Sequence, residues 1–291
     1  MKVEILKPKG YCAGVNNAIK MALKAREENP DKEVYVLGML VHNNFVVKDL
    51  EAHNIRSTND IHSIPNGSVL IFSAHGHKRE LDAIAKEKDL IIYDSICPKV
   101  QSNITLIEKN LKIGHQIIYI GLEGHPEAEA CLSLNSEVIL YNKNVLKNYQ
   151  LISDDSPLVI NQTTLNYLEI KHIHEEILKA FPHARIVDEI CASTRHRQEA
   201  ITQLDDDVDL IIVVGDVNSS NTRRLLEISQ TSHPCIDSLM ISSADELDLS
   251  ILQNKNHIVI SSGASTPENI IDEVYNRTRR MPTHMFSVIT K

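Results

Sequence analysis

Cys12, Cys97 and Cys191 stand 85 and 94 residues apart (97 − 12 and 191 − 97) in a chain of 291 residues. Each closes an apolar run, in VEILKPKGYC, DLIIYDSIC and ARIVDEIC, just ahead of a helical pattern. The near-even spacing implies three similar units, each offering one thiolate to a shared centre. No close CxxC pair is present, which excludes a zinc ribbon or a small ferredoxin. Three soft ligands suit a metal or iron–sulfur cluster with one position left open for substrate. Backbone N–H groups at a helix start favour the thiolate form. Cys131 and Cys235 do not share this phase and read as core residues.

A second constellation is polar. His42 (MLVHNN), His75 (SAHGH) and His125 (EGHPE) end predicted strands, and the third unit offers Ser219, Ser220 and Asn221 in NSSN. His75, Thr163 and Ser265 form another matched set, one from each unit. Converging imidazoles, hydroxyls and a carboxamide make a donor-rich cage for a phosphate or diphosphate. Each charge-assisted hydrogen bond in such a cage contributes about 1.5–3 kcal/mol. Zinc ligation by His42, His75 and His125 stays open on residue type alone. There is no Walker motif and no GxGxxG after the first strand, so nucleotide binding is not indicated. Glu127 follows two residues after His125. Like charge nearby would raise its pKa and let it act as a general acid near neutral pH. Asp216 reads as a turn or cap residue, and Asp205–Asp206–Asp207 as a solvated loop.

The elements that must position these groups repeat as well. EVYVLGMLVHNN, HQIIYIGLEGHPE and DLIIVVGDVNSSN each carry a β-rich run, a glycine and a polar loop. SVLIFSAHGH, PLVINQTTLN and HIVISSGASTP form a parallel set. Helical patterns follow each cysteine: AGVNNAIKMALKAREE with Val15, Ala18, Ile19 and Leu23 at helical spacing, PKVQSNITLIEKNLKI, and a helix containing RQEAITQL. Short apolar strands alternating with helices predict an α/β fold of parallel sheets, with ligands gathered beyond the strands' carboxyl ends. The expected division is an N-terminal strand (1–12), three units (13–96, 97–190, 191–281) and a short C-terminal tail (282–291). One large doubly wound sheet is the alternative.

Composition fits an ordinary globular chain, with 42% hydrophobic and 24% charged residues and a net charge of −9. That charge argues against nucleic acid as a partner, so an anionic ligand needs a local donor cluster. The opening MKVEILKPKG has no apolar signal region, and no stretch has the length of a membrane span. A cytoplasmic, reducing location is expected, with cysteines as thiols or ligands.

Nine segments together resemble one family, the 4-hydroxy-3-methylbut-2-enyl diphosphate reductases (LytB family). They are GYCAGV (10–15), LVHNNFVV (40–47), IFSAHG (71–76), DSICPKV (94–100), GHPEAE (124–129), NQTTL (161–165), EICASTRHRQEA (189–200), GDVNSSNTRRL (215–225) and SSGASTPE (261–268). The resemblance implies three pseudo-threefold-related α/β units in a trefoil around a central 4Fe–4S cluster held by Cys12, Cys97 and Cys191. The fourth iron would be free for the substrate hydroxyl. It implies a diphosphate site at His42, His75, His125, Ser219, Ser220, Asn221 and Ser265. Thr163 would lie near the substrate hydroxyl, and Glu127 would lead the proton relay. The implied reaction cleaves a C–O bond with two electrons and two protons, giving isopentenyl and dimethylallyl diphosphates, and the implied donor is a flavodoxin or ferredoxin. His77 after SAHG, Asp216 and Val217 ahead of NSSN, Arg195–His196 before RQEA and the short tail depart from the family pattern. The rival readings are a zinc-dependent hydrolase with Glu127 as base and a non-catalytic iron–sulfur redox sensor.

Overall fold

Strand β1 (Lys2–Ile5) leads through a loop to Cys12 and helix α1 (Ala13–Glu28) in a computed structural model that describes residues 1–141 and 152–280. The predicted tail at 282–291 therefore lies outside the described residues. Next come β2 (Val34–Leu37), α2 (Asn44–Ala52), β3 (Ile55–Thr58), β4 (Val69–Phe72), α3 (Glu80–Glu87) and β5 (Ile91–Asp94). Past Cys97 lie α4 (Pro98–Lys112), β6 (Ile117–Ile120), α5 (Pro126–Leu132), β7 (Val138–Leu140), β8 (Leu158–Asn161), α6 (Tyr167–Ala180) and β9 (Arg185–Val187). Cys191 then opens α7 (Ala192–Thr202), followed by β10 (Leu210–Val214), α8 (Ser220–Ser232), β11 (Asp237–Ile241), β12 (His257–Ser262) and α9 (Glu268–Arg279).

The described strands form three separate four-stranded parallel sheets, ordered β3-β2-β4-β5, β7-β6-β8-β9 and β11-β10-β12-β1. The protein is α/β, and the alternative of one doubly wound sheet fails. All three sheets share one topology, because β1 supplies the fourth strand of the sheet built by the end of the chain. Each fourth strand (β1, β5, β9) leads to one of the three cysteines. Two compact bodies result: Cys12–Arg195 holds two sheets, and Met1–Tyr11 with His196–Lys291 holds the third.

Central strands are apolar throughout, because helices cover both faces of a parallel sheet. VLIF in β4, IIYI in β6 and LIIVV in β10 are buried at every position. Fully burying one such isoleucine contributes about 1.5–3 kcal/mol. In α1 the buried residues are Val15, Ala18, Ala22 and Ala25. Three alanines let α1 lie close over β4 and β5, and they leave Ile19 and Leu23 only half-buried, short of the core role their spacing suggested. The helix ends at Asn29, where the following Pro30 disfavours a further helical residue. In the third unit the helix ends at Thr202, two residues before the predicted RQEAITQL pattern does.

Candidate active site and thiol centre

Each of the three cysteines precedes the first residue of a helix, as its sequence context predicted. Cys12 Sγ accepts the Val15 N–H at 3.4 Å, and Cys191 Sγ accepts the Thr194 N–H at 3.3 Å. A Cβ placed on Gly14 would lie 2.8 Å from Cys97 Sγ and 3.8 Å from Cys12 Sγ, so only glycine leaves these two sulfurs their space. Burial pushes the Cys97 thiol pKa up, the N–H groups of Lys99 and Val100 oppose this, and the neighbouring Cys12 and Cys191 push it up further. At Cys97 the helix start therefore does not secure the thiolate against burial, which corrects the simple dipole expectation. The three sulfurs are close enough to repel one another as anions, and a bound cationic centre would relieve that repulsion.

Among the described residues, no three His, Cys, Asp or Glu side chains converge on a position for a single metal ion. This corrects the zinc option for His42, His75 and His125. A 4Fe–4S cluster bonds each thiolate to a different iron, so its ligands face one another without meeting at one point. The three thiols fit that requirement. Cys131 is buried as expected. Cys235 is exposed, because it falls in the turn after α8 rather than on a strand or helix face, and the core reading was wrong for it.

The three histidines do come together. The His42 and His75 rings stack at 4.2 Å between centroids, and His125 stands edge-on to them at 5.3 and 5.6 Å. His125 Nδ1 accepts the Glu127 N–H at 3.2 Å, which leaves the proton of a neutral ring on Nε2. The protein packed around His75, then the adjacent His42 and His125, push its pKa well below the usual value. Gly124 turns the chain into His125 at φ +77°, a conformation that L side chains rarely adopt. The cage and the thiols share backbone: the Cys97 N–H donates to Ala74 O at 2.9 Å, beside His75. In the same way the Cys191 N–H donates to Thr163 O at 3.1 Å.

Glu127, 1% exposed, is held on both carboxylate oxygens by one residue. The Thr163 N–H donates to Oε1 and the Thr163 hydroxyl to Oε2, each at 2.9 Å. Burial raises the Glu127 pKa to about 7, against the lowering effects of both Thr163 donors and of Lys99. Desolvation is the cause within the protein itself, whereas the like charge expected from the sequence belongs to a cluster and a bound anion.

In the second body, Ser219, Ser220 and Asn221 lie where β10 passes into α8, and Ser265 follows the adjacent strand β12. Ser219 Oγ caps α8 by accepting the Thr222 N–H at 3.3 Å, so its own proton can still go to a ligand. Asn221 is 4% exposed, and neither atom of its amide has a hydrogen-bond partner. An unmet buried amide costs about 1–3 kcal/mol, which a hydrogen-bonding ligand or water would recover. Asp216 takes the expected turn role, accepting the Asn218 N–H at 2.8 Å. Asp205, Asp206 and Asp207 are exposed, as expected.

Several supporting residues gave no sequence signal. Thr194 lays its hydroxyl 3.2 Å from Cys191 Sγ, and Lys99 pairs with Glu189 across 90 residues of chain. Arg197 is buried and donates to the carbonyls of Ser262 and Gly10 at 3.1 and 2.6 Å. A single-residue spacing such as Cys-x-x-Thr is too common to have singled any of them out.

Three sheets of one topology, a thiol centre and an adjoining imidazole cage define an α/β protein made to hold an iron–sulfur group beside an anion. The LytB protein family matches residues 3–279, and the chain belongs to that family. It is 36% identical over 285 residues to the 4-hydroxy-3-methylbut-2-enyl diphosphate reductase of Macrococcus caseolyticus (strain JCSC5402), covering 94% of this chain and 88% of the relative. To the protein of the same name from Brevibacillus brevis (strain 47) it is 34% identical over 282 residues, covering 94% and 90%. The solved structure of the E-1-hydroxy-2-methyl-but-2-enyl-4-diphosphate reductase from Plasmodium falciparum superposes with a TM-score of 0.89 at 30% identity. That match covers 94% of this chain and 87% of the Plasmodium one.

Proposed function

We infer that this chain catalyses the reductive dehydroxylation of (E)-4-hydroxy-3-methylbut-2-enyl diphosphate to isopentenyl and dimethylallyl diphosphates, the last step of the methylerythritol phosphate route. The observation that carries the reading is the buried Glu127–Thr163 pair, with a pKa of about 7, next to a cage of three imidazoles. Family membership supports it throughout. Neither rival is favoured: a zinc hydrolase lacks a convergent ligand set among the described residues, and a redox sensor has no use for a cage and a proton donor. The three-unit division at 13–96, 97–190 and 191–281 belongs to the same reading, supported by the shared strand order.

Cys12, Cys97 and Cys191 would hold the 4Fe–4S cluster, which when bound would supply single electrons and a Lewis-acidic iron. His42, His75 and His125, with Ser219, Ser220, Asn221 and Ser265, bind the diphosphate and so orient the allylic hydroxyl. Glu127 supplies the proton. When Glu127 is neutral, its Oε2–H donates to Thr163 Oγ1, and the Thr163 hydroxyl proton turns toward the substrate. When Glu127 is ionised, Thr163 donates back to Oε2, the arrangement seen here. One proton therefore moves along two fixed oxygens without water.

The reaction takes electrons one at a time from an outside carrier, a flavodoxin or ferredoxin by family likeness. Five free cysteines suit a cytoplasmic, reducing location, and among the described residues no helix is long and apolar enough to cross a membrane.

Anaerobic purification and reconstitution test the assignment. Iron–sulfur absorption that changes on adding the substrate with a one-electron reductant, together with C5 diphosphate products, is expected. Stoichiometric zinc and no iron–sulfur absorption would overturn it.

The cage carries its own pH signature. His75 is neutral near pH 7 because burial and two neighbouring imidazoles disfavour its cation. A diphosphate reverses that balance by raising the imidazole pKa. Binding is therefore expected to take up a proton and to tighten as pH falls from 8 to 7. Calorimetry in two buffers of different ionisation enthalpy measures this directly, and zero proton uptake would remove charge-assisted binding by the cage.

A further inference from the structure

We propose that the groove between α1 and the β5–α4 connection is the docking site for a small acidic one-electron carrier protein. The inference rests on the reductase reading, because only a redox partner needs access to the thiol centre from outside. Overall, ROH + 2 e⁻ + 2 H⁺ gives RH + H₂O. The C–O bond breaks, one proton ends on carbon and the other on the departing hydroxide. Two carrier molecules each give up one electron. No residue of the chain supplies those electrons, so the carrier must approach where the cluster ligands lie nearest the surface.

The groove meets that condition. It has a volume of about 380 Å³, and Ile96 and Pro98, which flank Cys97 in sequence, form part of its wall. On the other side stands the middle of α1, with Asn17, Lys20, Met21 and Lys24. Gly14 of the same helix packs against the Cys97 and Cys12 sulfurs, so α1 reaches from the groove to the thiol centre. Electron transfer weakens steeply with distance, so a wall that includes both chain neighbours of Cys97 favours the groove over any route through a sheet.

The lining has the anatomy of a transient protein contact. Met21, Ile96 and Pro98 give an apolar centre, and the exposed Lys20 and Lys24 of α1 stand at its rim. β5, the edge strand leading into the groove, exposes Ile91 and Ile92. The lysines fix the sign of the partner. Lys24 lies 3.6 Å from Glu28, but an exposed pair of this kind holds its charge only weakly and can exchange partners. Asp94, on the opposite wall, accepts the Ile96 N–H at 3.0 Å and keeps its charge, so the cationic side of the groove is the α1 side. On a chain of net charge −9, a local cationic rim beside the thiols both attracts an acidic carrier and orients it, while the rest of the surface repels it.

The test uses the cluster-loaded enzyme, its Lys20→Glu/Lys24→Glu double variant, and a small acidic ferredoxin as the carrier. Affinity for the ferredoxin is read by calorimetry, and turnover is read twice, with reduced ferredoxin and with reduced methyl viologen. The variant is expected to bind ferredoxin roughly tenfold more weakly and to lose roughly tenfold in ferredoxin-driven rate, with rim charges acting mainly on association. Viologen-driven turnover should stay the same, because a small reductant needs no docking face. Unchanged ferredoxin affinity and rate in the double variant would overturn the proposal. Equal losses with both reductants would also overturn it, by showing damage to the centre instead of to docking. If the unmutated enzyme fails to turn over with viologen, the reductase reading falls, and the affinity comparison still decides whether this groove binds the carrier.

Discussion

Replacing Glu127 with Gln is expected to lower kcat by roughly 10²- to 10⁴-fold, the usual worth of a positioned general acid, with little change in KM or in cluster content. Gln is isosteric and keeps an acceptor for the Thr163 N–H, but it has no proton to send along Thr163 Oγ1. In the unmutated enzyme kcat should fall as pH rises through about 7, where the buried carboxyl ionises. The variant should lose that limb. The same shift makes a statement about stability. Between the ordinary value of 4.5 and about 7, the folded chain binds more protons at this site than the unfolded chain does. Stability from this group is therefore full below 4.5 and declines as pH rises through that window. Glu127→Gln removes the decline, so a variant that is inactive yet equally or more stable at pH 8 is the expected combination. Full activity in it would take Glu127 out of the mechanism.

How much of this was legible in the sequence depends on the scale of the feature. The strand-to-helix junctions at Cys12, Cys97 and Cys191 were readable because apolar runs and helical periodicity are local signals, and three in phase reinforce one another. The imidazole cage was readable for the same reason, although His42, His75 and His125 lie in the loops three to five residues past β2, β4 and β6 and do not end those strands. The pairing of β1 with β12 was not, because a four-residue strand carries no mark of a partner that begins at His257. Nor could the sequence distinguish Cys131, which lies on a buried helix face, from Cys235, which lies three residues past the end of α8. It named Glu127 but could not show the desolvation that raises its pKa, since desolvation depends on what packs around a side chain in space. Lys99 and Glu189 show the same limit: each is an unremarkable charge until the fold makes them partners.

Cys97→Ser is expected to abolish cluster retention, and Gly14→Ala should weaken it through a different cause. Burial raises the pKa of the Cys97 thiol, the middle member of the proposed ligand set. Serine keeps the shape but offers a hydroxyl far harder to ionise, and it loses the soft donor that iron prefers. Residues that merely support a metal ligand typically cost 10- to 100-fold in affinity when changed, so loss of a ligand should exceed roughly 100-fold. Iron and sulfide per chain after anaerobic reconstitution measure the effect, and normal iron content in Cys97→Ser would refute the ligand set. Gly14→Ala leaves every donor in place but sets a methyl carbon 2.8 Å from Cys97 Sγ, closer than such carbons are found to neighbouring atoms. The sulfur must then shift, and an intermediate loss is expected, within the 10- to 100-fold range of a supporting residue. The two variants separate donor chemistry from donor position. If Gly14→Ala retains iron like the unmutated chain while Cys97→Ser does not, the centre tolerates movement of its ligand. If both fail, the sulfur positions are as necessary as the sulfurs, and the close approach of α1 to Cys97 is part of what holds the cluster.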